Sequence, residues 1–312
     1  EASSHGLKQR RMDGARVSLV GFTNLTQDHL DYHPDFDDYF ASKMRLFDAL
    51  APDGAPAVVN VDSDWGGKVA EGARKAGLSV DEIGWRGRAL KIEEITPHPA
   101  SQSVRFTWDG EPIEAELPLI GEFQALNALG AAALAIRSGV SPQTAFAALD
   151  RLTGVPGRLE LAGKTKADAP VLIDYAHTPD GLDKLLRAAR PHTQGRVIVV
   201  FGAGGDRDPT KREKMGRTAA KLADHVIVTD DNPRSEDPAD IRRAILQGCP
   251  DAAEIADRRA AIAQAVAMLR EGDALLIAGK GHETGQIFAD RTEPFDDREE
   301  ARAALSAEGA AS

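Results

Sequence analysis

A mostly parallel α/β fold in two domains is predicted by three features of this 312-residue chain. In its second half, apolar runs of strand length alternate with amphipathic stretches of helix length, the βα rhythm of a doubly wound sheet. Three of those runs break off in polar turns: Arg196 to Ala203 into Gly204-Gly205-Asp206-Arg207, His225 to Thr229 into Asp231-Asn232-Pro233-Arg234, and Ala274 to Ala278 into Gly279-Lys280-Gly281-His282-Glu283. Between residues 92 and 118 the pattern changes to short alternating runs on either side of Asp109-Gly110, the signal of a hairpin and hence of a small antiparallel patch.

In chain order, Arg16 to Phe22 reads as a strand. Phe36 to Leu50 reads as a helix, with apolar positions at Phe36, Tyr39, Phe40, Leu46 and Phe47. Val58 to Val61 and Leu78 to Ile83 read as strands around a helical stretch from Gly67 to Ala76. Ser103 to Trp108 and Ile113 to Leu117 form the alternating patch. Helices are expected over Phe123 to Arg137 and Ser141 to Leu149. The Gly/Pro-rich Thr153-Gly154-Val155-Pro156-Gly157-Arg158 marks a boundary, giving domains of 1–153 and 154–312. The tail after Leu305 is expected to fray.

Composition narrows the function. The hydrophobic fraction of 42% and charged fraction of 28% are those of a soluble protein, and no apolar run reaches the roughly 18 residues of a membrane span. A net charge of -11 excludes an electrostatic footprint for nucleic acid, so an anionic ligand must be held by locally placed Arg and Lys. The single cysteine, Cys249, excludes an internal disulfide and fits a cytoplasmic protein. The chain starts at Glu1 with no signal-like segment, which reads as a start inside a longer protein.

Loops at the carboxyl ends of parallel strands converge on one crevice, so the three polar turns suggest a site. Arg207 and Arg234 are suited to gripping a carboxylate; the alternative for each is a structural salt bridge. Gly202-Ala203-Gly204-Gly205 fails as a dinucleotide fingerprint because Arg207 stands where the third glycine belongs, and its glycines instead let the backbone approach a ligand. Asp174 and His177, at the end of the run from Val171, are placed for a ribose hydroxyl or phosphate oxygen, and equally for an Asx turn before the Thr178-Pro179 helix start. Near the start, Glu1 and His29 are acceptable ligands for a divalent cation, with Asp28 orienting His29; the same residues suit a polar helix-capping loop. Lys43 suits a surface lysine of an amphipathic helix. The only Gly-Lys-Thr, residues 163–165, has Arg158 five positions before Gly163, so the chain contains no phosphate-cradling G-x-x-x-x-G-K-[ST] loop.

Together these motifs resemble the Mur ligase family, ATP-dependent enzymes that add amino acids to the peptidoglycan precursor peptide. Glu1-Ala2-Ser3-Ser4-His5 resembles its E-x-S-S-H segment, Thr23 to Tyr32 its T-N-L-x-x-D-H-x-D-Y segment, and Tyr39 to Lys43 the helix bearing its carbamylated lysine. Gly121-Glu122-Phe123 with Asn127, Gly157-Arg158, Asp174 to Asp180, Gly204 to Lys211, Asp231 to Arg234 and Gly279 to Glu283 follow in the family's order. Gln124 departs from the family's usual Asn.

The resemblance implies an incomplete central ATPase domain, truncated at its N-terminus, followed by a Rossmann-like amino-acid-binding domain. The family's P-loop and first domain belong upstream of Glu1. It implies that Glu1, His29 and the carbamate of Lys43 hold Mg²⁺, that Ser3, Gln9 and Arg11 hold UDP-N-acetylmuramoyl-L-alanyl-D-glutamate, and that Asn127, Arg158, Asp174 and His177 contact ATP. Arg207, Asp231, Asn232, Pro233, Arg234, Gly279 and Glu283 match its pocket for meso-diaminopimelate. The implied protein is a cytoplasmic monomer acting on small molecules, with no nucleic-acid or membrane partner. Two alternatives stay open: a catalytically incomplete fragment that binds diaminopimelate without turnover, and another ligase of the same fold such as folylpolyglutamate synthase.

Overall fold

The computed structural model describes residues 1–25 and 32–310. They divide into two compact units, one made of Glu1–Thr96, Ser103–Leu117 and Glu122–Leu152, the other of Pro97–Gln102, Pro118–Gly121 and the chain from Thr153 onward. Among the described residues no helix is long and apolar enough to cross a membrane.

The first half runs α1 (Ser4–Lys8), β1 (Val20–Phe22), α2 (Phe36–Arg45), β2 (Pro56–Asn60), α3 (Asp64–Lys75), β3 (Ser79–Gly84), β4 (Leu90–His98), β5 (Ser101–Trp108), β6 (Glu111–Leu117), α4 (Glu122–Arg137) and α5 (Pro142–Phe146). Its six strands form one sheet in the order β1-β2-β3-β4-β5-β6, with β1 parallel to β2 and β2 parallel to β3. The turns joining β4 to β5 and β5 to β6 are two residues long, which only antiparallel neighbours allow. The second carries Asp109 at φ 48° and Gly110 at φ 89°, the paired positive values that match a hairpin's twist. Asp35 caps α2 by accepting from the Asp38 amide at 2.8 Å, and Ser63 caps α3. Val20, Phe22, Val59, Tyr39, Phe47, Val69 and Ala73 share the core.

Three expectations need correction here. The strand at Arg16 shrinks to Val20–Phe22, because residues 16 and 18 are exposed and only Val20 onward pairs with β2. The helix from Phe36 loosens to a π turn over Leu46–Leu50. The helix from Ser141 stops at Phe146 and resumes as a single 3-10 turn at Leu149–Arg151.

The second half runs β7 (Glu160–Lys164), β8 (Pro170–Asp174), α6 (Pro179–Ala189), β9 (Val197–Phe201), α7 (Lys211–Leu222), β10 (His225–Val228), α8 (Pro238–Leu246), β11 (Ala253–Glu254), α9 (Arg258–Ala267), β12 (Ala274–Ala278), β13 (Gly285–Ile287), β14 (Thr292–Pro294) and α10 (Asp297–Ala310). The sheet order is β11-β10-β9-β12-β8-β7, parallel except for β7 at one edge. Successive strand residues point to opposite faces, so the sheet has two cores. Leu172, Val199, Phe201, Val228 and Leu276 meet α6, α7 and α8 through Leu182, Leu186, Met215, Ala219 and Ile245. Val171, Ile173, Ile198, Val200 and Ile277 meet α9 and α10 through Ala261, Ile262, Ala265 and Ala301. Ala301 anchors α10, which continues as helix through residue 310, so the tail expected to fray beyond Leu305 is helical there.

One ion pair lies wholly inside this unit. The Arg258 guanidinium donates to both oxygens of Asp297 at 2.7 Å, to the Ala278 carbonyl at 3.0 Å and to the Asp230 carbonyl at 3.4 Å, and both charged side chains are 0% exposed. It ties the starts of α9 and α10 to the carboxyl end of β12. Removing one partner of a buried pair leaves a desolvated charge, which costs about 3–5 kcal/mol. Arg258→Met is therefore expected to destabilise by that amount and Arg258→Met/Asp297→Leu by clearly less; urea melts showing equal losses would contradict this.

A second expectation concerns pH. His192 is buried, and its Nε2 accepts from the Gly121 amide at 3.0 Å while Nδ1 donates to the His98 carbonyl at 2.7 Å. Burial pushes this imidazole below its ordinary value of 6.5. The unfolded chain then takes up the proton first as pH falls through about 6.5, so stability present above that pH is lost below it. His192→Gln, which cannot titrate, is expected to flatten the fall in melting temperature between about pH 6.5 and 5.

Candidate functional site

Helices follow β8 and β9 on one face of the second sheet, whereas the chain leaving β12, which lies between them, goes to the other. Loops that part in this way leave crevices at the strands' carboxyl ends.

On the β8 side, Asp174 organises the crevice. One carboxylate oxygen accepts from the Ala176 amide at 2.8 Å and the other from the Leu159 amide at 2.9 Å. Burial pushes this carboxyl above the ordinary carboxylate range, against those two donors and the Arg158 guanidinium. The Leu159 bond fixes a loop with Leu159 at φ 47° and Gly157 at φ 69°; any Cβ on Gly157 would lie 2.5 Å from the His282 nitrogen. Glycine therefore lets this loop lie against the turn after β12. The Arg158 guanidinium stands 5.1 Å from the Tyr175 ring centroid, and Tyr175 touches the rings of His177 and His282 at 4.6 and 5.5 Å. A cation and three rings at a strand end form a surface suited to a flat, anionic ligand such as a nucleotide.

On the β9 side, the loops after β9 and β10 are locked together. The Gly205 amide donates to the Asn232 carbonyl at 2.9 Å, and the Arg234 guanidinium donates to the Gly205 carbonyl at 2.8 Å. A Cβ on Gly205 would lie 1.9 Å from the Pro233 carbonyl oxygen, and one on Gly202 would lie 2.4 Å from that of Thr229. The close approach these two glycines permit is thus to the neighbouring loop, where a ligand was expected. Arg234 and Asp206 have φ of 51° and 54°, conformations that L residues adopt at a cost. The Ser235 hydroxyl donates to Asp206 at 2.6 Å and holds that carboxyl below the usual range.

The seven residues expected to form one pocket lie on the loops after β9, β10 and β12, which touch one another. Arg207 and Arg234 both stand beside Gly204, the Asn232 carboxamide donates to Glu283 at 2.8 Å, and Asp231 lies against Gly279 with Pro233 beside Gly205. Among the described residues neither Arg207 nor Arg234 is ion-paired; each guanidinium has only carbonyl acceptors. A structural salt bridge is therefore not what holds them. Two lysines of this region were not picked out from the sequence. Lys211 donates to the His177 carbonyl at 2.8 Å, and burial pushes its ammonium below the ordinary lysine value. Lys280 is fully buried beneath the turn. Its signal was a lysine between two glycines directly after an all-apolar strand.

The first unit carries a cavity of about 960 Å³, whose polar lining includes Glu1, Thr23, Asn24 and Asn127 and whose apolar lining includes Val58, Ile83, Phe123 and Leu134. Lys43 is half-buried on α2, its ammonium 5.4 Å from the Tyr39 ring centroid, and is not among the residues lining that cavity. Ser3 caps α1 by accepting from Gly6 at 3.1 Å, Gln9 donates to the Tyr32 hydroxyl at 3.2 Å, and Arg11 is exposed. His29 and Asp28 lie outside the described residues. Among the described residues no three His, Cys, Asp or Glu side chains converge as a metal site. Glu1, Thr23 and Asn24 nonetheless present the oxygen donors that suit a hard cation such as Mg²⁺.

The family description "Mur ligase middle domain" matches residues 1–135, and "Mur ligase, glutamate ligase domain" matches residues 157–281. A UDP-N-acetylmuramoyl-L-alanyl-D-glutamate--2,6-diaminopimelate ligase of Chelativorans sp. is 54% identical over 305 residues, 98% of this chain and 63% of that protein. One of the same name from Agrobacterium fabrum is 52% identical over 306 residues, again 98% and 63%. The chain thus spans under two thirds of the length of these relatives. A solved structure of a ligase with that name, 33% identical, superposes with a TM-score of 0.76 over 99% of this chain and 64% of that one. A folylpolyglutamate synthase of Mycobacterium tuberculosis, 21% identical with a TM-score of 0.63, shares the fold.

Because a Cβ at position 205 overlaps the Pro233 carbonyl, Gly205→Ala is expected to displace the Asp231 to Arg234 turn and to cost about 1–3 kcal/mol of stability. Thermal denaturation of the variant checks this; an unchanged melting temperature would refute the close approach.

Proposed function

The chain belongs to the Mur ligase family, and from that premise we propose that it serves an ATP-dependent ligase that joins meso-diaminopimelate to UDP-N-acetylmuramoyl-L-alanyl-D-glutamate. Its central domain spans 1–153 and its C-terminal amino-acid-binding domain 154–312. The observation that carries the reading is that the guanidinium of Arg234, not ion-paired among the described residues, and the carboxylate of Glu283 are bridged by one residue, Asn232, whose carbonyl accepts from Arg234 at 3.5 Å and whose carboxamide donates to Glu283 at 2.8 Å. A cation beside a carboxylate is the complement of an amino-acid head group, and diaminopimelate carries a second such head at its far end. Arg234, with Arg207 also beside Gly204, takes the distal carboxylate, and Glu283 takes the distal ammonium. Lysine ends in an ammonium alone and would leave Arg234 desolvated and unpaired, which is a stronger ground for rejection than a lost contact.

With that head fixed, the other amine of diaminopimelate is free to react. The D-glutamate side-chain carboxylate attacks the γ-phosphorus of ATP and releases ADP, giving an acyl phosphate. The amine then attacks the acyl carbon, an amide bond forms, phosphate leaves, and the amine loses a proton. In the first unit Asn127 contacts the nucleotide, and Ser3, Gln9 and Arg11 hold the muramoyl dipeptide. In the second, Arg158, Asp174 and His177 do the work of nucleotide binding, with the Tyr175 ring as a surface. Mg²⁺, when bound, offsets charge on the phosphate oxygens; Glu1 and His29 would hold it, with a carbamate on Lys43 adding an oxygen donor where the free amine is cationic. A binding-only role has one observation in its favour, since every residue of the diaminopimelate pocket lies in the second unit.

The test incubates the chain with ATP, Mg²⁺, the UDP-muramoyl dipeptide and equal meso-diaminopimelate and lysine, and identifies tripeptide by mass. The expected product carries diaminopimelate. Lysine product in equal yield would overturn the role given to Arg234, and absence of product together with calorimetric binding of diaminopimelate would leave binding alone as the function of this chain.

A further inference from the structure

Lys280 has no role in the reading above, yet its ammonium is the most deeply enclosed lysine charge at the site. It sits directly after β12 between Gly279 at φ 117° and Gly281 at φ 57°, two backbone conformations that L side chains rarely adopt. The kinked backbone carries the side chain under its own turn, where it is 0% exposed. There the ammonium has three acceptors: the Gly285 carbonyl at 2.6 Å, the Asn232 carboxamide oxygen at 2.9 Å and Glu283 Oε2 at 3.4 Å. Three protons meet three oxygens, one from the loop after β10 and two from the chain that follows β12.

The arrangement decides how Asn232 and Glu283 are turned. The Asn232 Oδ1 accepts from Lys280 and also from the Ile287 amide at 3.0 Å, so its Nδ2 is forced toward Glu283, where it donates to Oε2 at 2.8 Å. Both donors therefore use the same carboxylate oxygen. Glu283 Oε1 has no partner among the described residues, and the side chain is 34% exposed. A desolvated ammonium is costly, and a neutral or apolar side chain would fill this space at less cost if filling it were the only need.

We propose that Lys280 is a positioning residue for ligand specificity: by fixing the Asn232 carboxamide and occupying Glu283 Oε2, it leaves Oε1 as the one acceptor aimed at the ammonium of an incoming diamino acid. The proposal rests on the reading of Glu283 given above. Lys280 touches no ligand itself; it acts through Glu283 and loses its effect when Glu283 cannot accept an ammonium.

Calorimetric titration of the 312-residue chain tests this with two ligands. These are meso-diaminopimelate and pimelate, which keeps the carbon skeleton and both carboxylates but has no amine. Lys280→Met is expected to weaken meso-diaminopimelate about tenfold to a hundredfold, the worth of a hydrogen bond to a charged group, and to leave pimelate unchanged. In a Glu283→Gln background the same substitution is expected to add no further loss. Equal weakening of both ligands, or an additive loss in the Glu283→Gln background, would show a merely structural lysine and overturn the proposal. Should Lys280→Met fail to fold, Lys280→Gln, which keeps two of the three donors and no charge, carries the same comparison. If the unaltered chain binds no diaminopimelate, the reading of the pocket fails. The crystal structure of the variant then decides: a rotated Asn232 carboxamide and a displaced Glu283 support the positioning role, and unmoved side chains refute it.

Discussion

Five parallel strands bring their carboxyl ends to one edge of the second unit, and β12, although late in the chain, lies between β8 and β9. The buried Arg258–Asp297 pair holds this strand's end in place, since the same guanidinium grips the last carbonyl of β12 and the carbonyl of Asp230. Both crevices depend on that constraint. The turn after β12 contributes His282 to the aromatic surface beside Asp174 and Glu283 to the pocket with Asn232. Were β12 at an edge, one turn could not serve both.

Around this fixed point the loops are held in costly conformations. Leu159, Asp206 and Arg234 all have positive φ without being glycine, and each is restrained by a bond to another segment. The Leu159 amide donates to Asp174, the Asp206 amide to Glu236 and the Arg234 amide to the Ile287 carbonyl. Strain gathered where loops meet is characteristic of sites whose geometry must be set before the ligand arrives. Buried charge is distributed in the same way. Lys280 and Arg258 both lie at the β12 terminus, and each is compensated by a carboxylate and by carbonyl oxygens.

The first unit is organised differently. Its parallel strands β1 to β3 pass into antiparallel hairpins, and the polar residues of interest line a largely apolar cavity beside β1 and α4. The approach of α4 to the sheet depends on small residues: a Cβ on Gly130 would stand 3.3 Å from Ile83, and one on Gly21 3.1 Å from Leu134. Glu1 and Asn127 share this cavity although they are far apart in sequence.

The sequence by itself determined the class of fold, the strand from Ala274 to Ala278 to the residue, the helix over α4 to within one residue and the Asp109-Gly110 hairpin. Each rests on a local signal: an uninterrupted apolar run, a helical period, a turn that needs positive φ, a motif in order. What only the tertiary structure decided are relations between distant segments. The antiparallel edge strand β7 is too mixed in polarity and the β13–β14 hairpin too short for a period to show, and α10 is anchored through Ala301. The glycines of the β9 loop face another loop, a fact set by the position of Pro233. Lys280 could be read as one more polar residue of a turn until the fold enclosed it, because the burial of a charge depends on which oxygens surround it, and those come from residues 232, 283 and 285.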